Sequence, residues 1–261
     1  MARKRERVLY DVANQIATLT LNRPEKRNAL DDLTIAELKE NLAAAESDDN
    51  VRVVLLRGAG DDFCAGADLT QLEKIASSAS REENLADAMN LGELFIRMRR
   101  LRKPVVAAVR GHALAGGAGL ASACDLIIAD ENAVFGYPEV KLGFVPAMVM
   151  ALLVRSISEK QAFELAALGD TFTAAEALRI GLVNRLAASE NFDREATQFV
   201  EDLAKRSTSA LRLIKRLLDD IDGLSFEDAV RRGAEVNVEA RATPDCQDGV
   251  RKFLAAKKKK G

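Results

Sequence analysis

A chain of 261 residues is long for one average domain, but the length suits an α/β domain that carries an appended helical part. Hydrophobic residues at 48% and charged residues at 30% are typical of a globular protein, and they exclude a disordered chain or a membrane protein. The formal net charge of −2 excludes the broadly basic surface of nucleic-acid binders, so we expect no nucleic acid partner and only local anion sites.

The first residues and the cysteines bear on the cellular location. The basic first residues precede no apolar run of signal-peptide length, and no uncharged stretch is long enough to cross a bilayer. Cys64, Cys124 and Cys246 are odd in number and widely spaced, which suggests neither disulfides nor a metal site. We therefore expect a cytoplasmic protein with free thiols and no membrane contact.

The first half of the chain alternates predicted strands and helices. Residues 8–21 predict a hairpin, and a helix capped by Asp31 or Asp32 follows it. The apolar run at 51–57 predicts a strand that is covered on both faces. A polar segment at 77–84, expected to be mobile, precedes a helix predicted over 85–100.

The same pattern then repeats and changes near the middle of the chain. Strands predicted at 104–109 and 125–129 flank a glycine-rich loop and a short helix of small residues. After Pro146 the sequence is almost entirely helical, with capping-box patterns at Ser158 and Thr173. The sequence therefore predicts a strand–loop–helix core over residues 1–195. A helical region over residues 196–261 follows it.

Two loops of small residues, at 63–68 and 111–119, each follow a predicted strand and lead toward a helix. Exposed N–H groups in such loops can hold an anion or a developing oxyanion. Close packing of a helix on a strand through glycine would give the same pattern. Neither loop has the ending of a phosphate-binding P-loop or the spacing of a dinucleotide fingerprint, which disfavours ATP and NAD.

Few side chains could act as catalysts. His112 is the single histidine, no nucleophile elbow is present, and no residues have metal-ligand spacing, so we expect neither a hydrolase triad nor a metal. His112 suits a structural hydrogen bond better than a base. Glu139 follows a strand-like segment among apolar residues, and burial raises the pKa of a carboxyl toward the range of an acid/base catalyst.

Four ordered motifs resemble those of the enoyl-CoA hydratase/isomerase (crotonase) superfamily. They are residues 22–30 (NRPEKRNAL), 63–69 (FCAGADL), 115–126 (AGGAGL with CDL) and 135–140 (FGYPEV). Segments at 173–183 and 248–253 also fit, so the resemblance covers nearly the whole chain. Each motif alone is weak, but the ordered set is specific.

The resemblance implies an α/β fold, a crotonase-like spiral of ββα repeats with a C-terminal helical trimerisation subdomain. It implies a homotrimer or a dimer of trimers whose substrate is an acyl-coenzyme A thioester. Coenzyme A is then part of the substrate, and no other cofactor is implied.

The resemblance also implies a role for individual residues. The thioester oxygen would lie between the backbone N–H groups of Ala65 and Gly116, with Glu139 as acid or base. Residues implied along coenzyme A are Lys26, Arg27, Ala29, Ala65, Gly66, Ala67, Asp68, Leu69 and Gly116, with Phe253 and Lys257 reaching a neighbouring subunit's cofactor.

One departure from the family bears on the reaction. Hydratases of the family typically have a second glutamate at the position of Gly119. Two carboxylates activate a water, whereas one suffices to move a proton between C2 and C4 of an acyl-CoA. This favours isomerisation, yet Glu93, Glu131 or a bound water could replace the missing acid, so hydration of 2-enoyl-CoA stays open.

Further alternatives also stay open. Phe144 and Met148 could form a bulky, dry wall beside Glu139, or they could simply pack a helix. Decarboxylation, ring closure or dehalogenation of an acyl-CoA would show the same motifs. A non-catalytic acyl-CoA-binding or RNA-binding homologue is a further alternative, with the basic segment 97–103 as the RNA contact.

Overall fold

The computed structural model describes residues 6–68, 70, 73 and 80–258, and the strands within these residues form two sheets. In chain order the strands are β1 (Val8–Ala13), β2 (Ile16–Leu21), β3 (Val53–Gly58), β4 (Val105–Val109), β5 (His112–Leu114), β6 (Leu126–Asp130), β7 (Val134–Gly136), β8 (Thr171–Thr173) and β9 (Arg185–Ala187). The larger sheet has the order β1-β2-β3-β4-β6-β9 and is parallel apart from the β1–β2 hairpin. The smaller sheet has the order β5-β7-β8.

Ten α-helices and two short 3-10 helices lie within the described residues. The α-helices are α1 (Asp32–Ser47), α2 (Arg81–Arg100), α3 (Gly116–Ser122), α4 (Ala147–Ser156), α5 (Glu159–Leu168), α6 (Ala174–Arg179), α7 (Phe192–Ala204), α8 (Thr208–Asp220), α9 (Phe226–Ala242) and α10 (Pro244–Lys258). The 3-10 helices are Pro24–Lys26 and Pro138–Leu142. No described helix is both long enough and apolar enough to cross a membrane.

The central strands of the larger sheet are covered on both faces, as their apolar runs predicted. Val54 and Leu56 of β3 pack in the main core with residues of α1 and α2. Val53 and Leu55 point the other way and pack against α7. The pleat of one strand thus divides the core into two layers.

The two sheets are joined by consecutive strands. β4 is followed after two residues by β5, and β6 after three residues by β7, so the chain passes twice from the larger sheet to the smaller one. Helix α3 follows the first passage, and the 3-10 helix with α4 follows the second. This arrangement confirms the predicted spiral of ββα units.

Two predictions about helix termini were wrong in detail. Helix α2 begins at Arg81 and not at residue 85, because the Ser80 hydroxyl accepts the Glu83 N–H while the Glu83 carboxylate accepts the Ser80 N–H. Residues 77–79 of the segment expected to be mobile lie outside the described residues. Thr173 caps α6, but Glu176 pairs with Arg179 at 2.7 Å and so completes no capping box, whereas Ser158 does form one.

The region after Pro146 is less helical than predicted, because β8 completes the smaller sheet and β9 the larger one. The predicted boundary at residue 195 falls inside α7, whose buried side chains pack on the larger sheet. The division into two parts stays a prediction.

Several apolar side chains of α8–α10 are exposed in the single chain: Ile214, Leu218, Phe226, Val230, Val238, Phe253 and Leu254. Such an exposed set is compatible with the predicted trimer, which also stays a prediction.

Candidate active site

The two loops of small residues lie side by side. Cys64 N–H donates to the His112 carbonyl oxygen at 2.9 Å, and Leu114 N–H donates to the Cys64 carbonyl oxygen at 3.0 Å. A Cβ on Gly66 would lie 2.9 Å from the Leu114 oxygen, and one on Gly117 would lie 2.3 Å from the Cys64 oxygen. Glycine is therefore required at both positions by close backbone contact.

The structure contradicts the prediction that Ala65 offers a free donor. Its N–H donates to the Arg27 carbonyl oxygen at 2.9 Å. Turning this N–H toward a ligand would break a backbone hydrogen bond and leave the Arg27 oxygen without its donor. Ala65 therefore fixes the loop in place.

Ala67 carries the donor that the sequence prediction missed. Leu30 N–H donates to the Gly66 oxygen at 2.7 Å, and Asp68 N–H donates to the Leu30 oxygen at 2.9 Å. In a parallel bridge of this kind, the residue between the two bonded ones points its own N–H away from the partner strand. Within the described part of the chain, the Ala67 N–H donates to no acceptor.

Gly116 N–H is the second free donor, and its position agrees with the prediction. Ala115, before it, has the left-handed backbone angle φ 48° and donates its own N–H to the Gly136 oxygen at 2.9 Å. A Cβ on Gly66 would lie 3.6 Å from the Gly116 nitrogen, so the segments that carry the two free donors are in contact. No described residue accepts the Gly116 N–H. Two backbone donors are thus available at one place.

Apolar side chains from other elements lie beside Gly116. A Cβ on Gly116 would lie 3.6 Å from Leu91 Cδ2 and 3.8 Å from Leu30 Cδ1. Next to Leu91 on α2, Gly92 leaves space in front of Met148 Cγ, which would lie 3.6 Å from a Cβ on Gly92. Met148 thus packs against α2, which fits the alternative of simple helix packing, and Phe144 is 47% exposed. The wall beside Glu139 stays a prediction.

Glu139 lies three residues after Gly136, whose carbonyl oxygen accepts the Ala115 N–H just before the Gly116 donor. It lies in the 3-10 helix that follows β7, and Oε2 is buried without a hydrogen-bond partner. It is the only carboxylate among the described residues with such an oxygen. Burial raises the pKa of the Glu139 carboxyl, and its own backbone N–H only partly offsets this effect. A buried, unsatisfied carboxyl with a raised pKa is typical of an acid/base catalyst.

The raised pKa of Glu139 predicts a pH-dependent effect of Glu139→Gln on stability. The folded-state pKa lies above the unfolded value, so the wild-type carboxyl contributes most stability below the unfolded pKa and loses it as pH rises through the folded one. Glutamine does not titrate. The free energy of unfolding of the variant should therefore gain on the wild type with rising pH, by less than about 1 kcal/mol because the group is only partly buried. Urea unfolding at a series of pH values measures this difference, and a variant that loses stability relative to the wild type as pH rises would contradict it.

The position of Gly119 cannot hold a second acid in this packing. A Cβ on Gly119 would lie 2.6 Å from Val149 Cγ2 and 3.1 Å from Phe95 Cζ, and both side chains are buried. The Cβ of any larger residue at this position would therefore crowd aliphatic and aromatic carbon.

The two other candidate acids are turned elsewhere. Glu93 pairs with Lys39 Nζ at 3.0 Å on the side of α2 that faces α1, and its side chain is 63% exposed. Glu131 precedes β7, whereas Glu139 follows it, so the two acids lie at opposite ends of that strand. Neither is placed to act together with Glu139. No group of three or more potential metal ligands occurs among the described residues.

We expect Gly119→Glu to destabilise the chain without adding a hydratase acid. The new Cβ would overlap Val149, and overpacking of this kind costs about 1–3 kcal/mol, to which the buried charge adds further cost. Gly119→Ala, which adds the Cβ alone, should be the milder variant. In a Val149→Ala background the loss from Gly119→Ala should shrink, because the overlapping methyl group is gone. Unfolding in urea checks this, and equal losses in the two backgrounds would contradict the overlap.

The residues predicted along coenzyme A divide into exposed and structural ones. Lys26 and Arg27 are exposed at the end of the first 3-10 helix, whereas Ala29 is buried. Asp68 is buried and pairs with Arg23 at 2.6 Å. Burial alone would raise the pKa of the Asp68 carboxyl, but hydrogen bonds from Thr70 and Arg23 together lower it. Its side chain therefore holds the fold, and its backbone N–H is bound by the Leu30 oxygen, so the predicted contact of Asp68 with coenzyme A stays a prediction.

The remaining predicted contacts lie away from this cluster or outside the described residues. Leu69 lies outside the described residues. Phe253 and Lys257 lie on α10, where both are exposed and the ammonium group stands 5.2 Å from the ring centroid. Their contact with a neighbouring subunit stays a prediction.

Most of the basic groups in segment 97–103 bind other parts of the fold. Its guanidinium and ammonium groups contact the Lys39 oxygen, Asp219, Glu46 and two carbonyl oxygens at the end of α1, those of Ala45 and Asp48. These contacts join α1, α2 and α8. They weaken the hypothesis that this segment binds RNA.

Comparison with known proteins identifies the family of this chain. The sequence model described as enoyl-CoA hydratase/isomerase matches residues 11–260. The chain belongs to the enoyl-CoA hydratase/isomerase family. It is 44% identical to a candidate enoyl-CoA hydratase of Thermus thermophilus over 239 residues, which cover 92% of this chain and 94% of the relative.

Solved structures confirm the crotonase fold. An enoyl-CoA hydratase of Mycobacterium smegmatis superposes with a TM-score of 0.90 at 30% identity, over 96% of each chain. A candidate enoyl-CoA hydratase/isomerase (crotonase) of Legionella pneumophila superposes with a TM-score of 0.88 at 34% identity, over 96% of this chain and 97% of the other.

Proposed function

We propose that this family member binds an acyl-CoA thioester, stabilises its enolate with the N–H groups of Ala67 and Gly116, and moves a proton with Glu139. The observation that carries the proposal is the combination of two unpaired backbone donors with one buried, unpaired carboxyl. Donors aimed at developing negative charge are often the largest single contribution to such catalysis.

We further propose isomerisation of a 3-enoyl-CoA to a 2-enoyl-CoA as the reaction. The Glu139 carboxylate removes a proton from C2, and the electrons move onto the thioester oxygen between the two donors. The resulting carboxylic acid returns the proton to C4, and the double bond shifts without a change in composition. A raised pKa suits Glu139 to both steps, because the group must accept and then donate the same proton.

Packing at Gly119 supports the single-acid reaction. Hydration needs a group that holds and activates water opposite the first acid, and the crowding of a Cβ at Gly119 by Val149 and Phe95 disfavours such a group at that position. Hydration of a 2-enoyl-CoA remains the second candidate, because the relatives reported above are named hydratases.

A mass-resolved assay with purified protein tests these proposals. The substrates are 2-enoyl-CoA and 3-enoyl-CoA thioesters of several chain lengths, with products separated by chromatography. Isomer formation at constant mass supports single-acid transfer, whereas a product heavier by one water makes the protein a hydratase and contradicts it.

A second assay tests enolate formation itself. A saturated acyl-CoA incubated in D₂O should exchange its α-hydrogens if the two donors stabilise an enolate. Exchange without turnover of either enoyl substrate would point to another enolate reaction, such as decarboxylation, ring closure or dehalogenation. Absence of both exchange and turnover would contradict the proposed catalysis and favour a binding role.

We also propose that α8–α10 form the interface of a homotrimer, which brings Phe253 and Lys257 toward a neighbouring site. The exposed apolar side chains of these helices support it. The molar mass in solution, from light scattering, tests the assembly, and a monomer at micromolar concentration would contradict it.

A further inference from the structure

Arg27 has an exposed but anchored guanidinium. The residue ends the first 3-10 helix with the left-handed angle φ 49°, and its carbonyl oxygen is bound by Ala65 N–H at 2.9 Å. Its side chain is 60% exposed, with Nε 3.3 Å from Asp62 Oδ2. Nη1 and Nη2 make no hydrogen bond within the described part of the chain, so the outer part of the group is free.

Arg23 provides an internal comparison. Its guanidinium is 7% exposed and is bound by the Ala29 oxygen at 2.6 Å, by Asp68 at 2.6 Å and by Asp31 at 3.2 Å. The terminal amino groups of Arg23 are therefore bound within the fold. In Arg27, four residues later, the two terminal amino groups remain available to bind a ligand.

Asp62 is itself held in place. Its Oδ1 accepts the His112 backbone N–H at 2.9 Å and lies 2.6 Å from His112 Nδ1. Its backbone oxygen accepts a hydrogen bond from Asn28 Nδ2 at 2.7 Å, and its side chain is 13% exposed. Oδ2 is thereby directed at Arg27 from a fixed position.

Asp62 lies at Nε of the Arg27 guanidinium and limits the directions in which the group can point, while the two terminal amino groups stay open to a ligand. A free arginine side chain loses rotamer entropy when it binds a ligand, and anchoring Nε removes part of that loss before the ligand arrives. The two terminal amino groups form the flat fork that binds phosphate through two hydrogen bonds. Water and salt weaken the repulsion between Asp62 and a phosphate on the terminal amino groups, because Asp62 Oδ2 lies at the Nε side of the group.

We propose that Asp62 is a positioning residue, which holds Arg27 so that its free fork binds a phosphate of the coenzyme A nucleotide. The inference rests on the proposed acyl-CoA substrate. It assigns to His112 the role of fixing Asp62, and it means that a partly buried carboxylate positions the arginine that contacts the nucleotide.

Calorimetric titration with coenzyme A tests the proposal without any turnover. Asp62→Asn keeps an acceptor for His112 but loses the charge that holds Arg27, and it should weaken coenzyme A binding about five- to tenfold. Arg27→Ala should weaken it about tenfold. The double variant should bind no worse than Arg27→Ala, because Asp62 acts through Arg27. Asp61→Asn, an exposed neighbour with the same change in charge, is the matched control and should bind like the wild type.

Kinetics with two thioesters separate positioning from a general structural role. For the enoyl-CoA substrate, Asp62→Asn should raise KM with a far smaller change in kcat. For the same acyl group on pantetheine, which lacks the nucleotide, KM should change much less. Melting temperatures of all variants identify any that are simply unfolded, and Asp62→Glu serves as the second variant if Asp62→Asn does not fold.

Four results would overturn the proposal: additive losses in the double variant, tighter coenzyme A binding by Asp62→Asn, an equal loss for the pantetheine thioester, or an equal effect of Asp61→Asn. The proposed reaction can fail separately. If coenzyme A binding depends on Asp62 and Arg27 as stated while no enoyl substrate is turned over, this inference stands and the proposed reaction does not. Absence of coenzyme A binding by the wild type would remove both.

Discussion

Glu139→Gln should lower kcat by about 10²–10⁴-fold, because the substitution removes the one group proposed to take the proton from C2 and return it to C4. The glutamine has nearly the same shape, so coenzyme A binding and the fold should survive. Single-turnover kinetics with 3-enoyl-CoA, alongside calorimetric titration with coenzyme A, measure the two effects separately.

Glu131→Gln and Glu93→Gln are matched controls for that experiment. Each variant neutralises an acid that points elsewhere: Glu131 lies at the other end of β7, and Glu93 pairs with Lys39. Each should retain wild-type kcat. If Glu139→Gln were as active as these controls, Glu139 would have no part in the reaction.

Gly116→Pro should lower kcat by about 10²–10³-fold, the usual effect of losing one oxyanion donor. Gly116 is the first residue of α3, and proline is tolerated at the first position of a helix, where the N–H has no partner within the helix. A Cβ there makes ordinary contacts at 3.6 Å and 3.8 Å with Leu91 and Leu30, so the position has room for a side chain.

Gly116→Ala is the control that isolates the N–H. It adds the Cβ and keeps the donor, so it should lose far less activity than the proline variant. Similar losses in both would show that crowding matters and not the donor. Circular dichroism and thermal unfolding of both variants establish that the fold is retained.

Backbone direction at the two alanines shows where sequence reasoning stops. The small residues at 63–68 identified the correct loop, but the sequence does not show whether the N–H of Ala65 or that of Ala67 is unpaired. Gly66, at φ 98°, turns the chain between them, so that Ala65 N–H pairs with Arg27 while Ala67 N–H stays free. Which N–H is free depends on the pairing of residues 30 and 67, which are far apart in sequence.

Gly119 shows the same limit for side chains. The sequence already showed that the second acid of the family is missing at this position. Whether another residue could replace the acid depended on Val149 and Phe95, which come from α4 and α2 and meet only in the folded core. Strand β9 was missed for a related reason, because a strand of three residues carries little pattern and is fixed by pairing with β6.

The sequence by itself determined the family, the alternation of buried strands and helices, the two glycine-dependent loops and Glu139 as the candidate acid. These features are encoded locally, in apolar periodicity and in residues whose type is required by backbone or chemistry. The tertiary structure alone decided which backbone donors are unpaired, that the second acid position is filled, and that Asp62 links His112 to Arg27. Each of these depends on contacts between segments far apart in the chain, and such contacts are set by packing and not by local pattern.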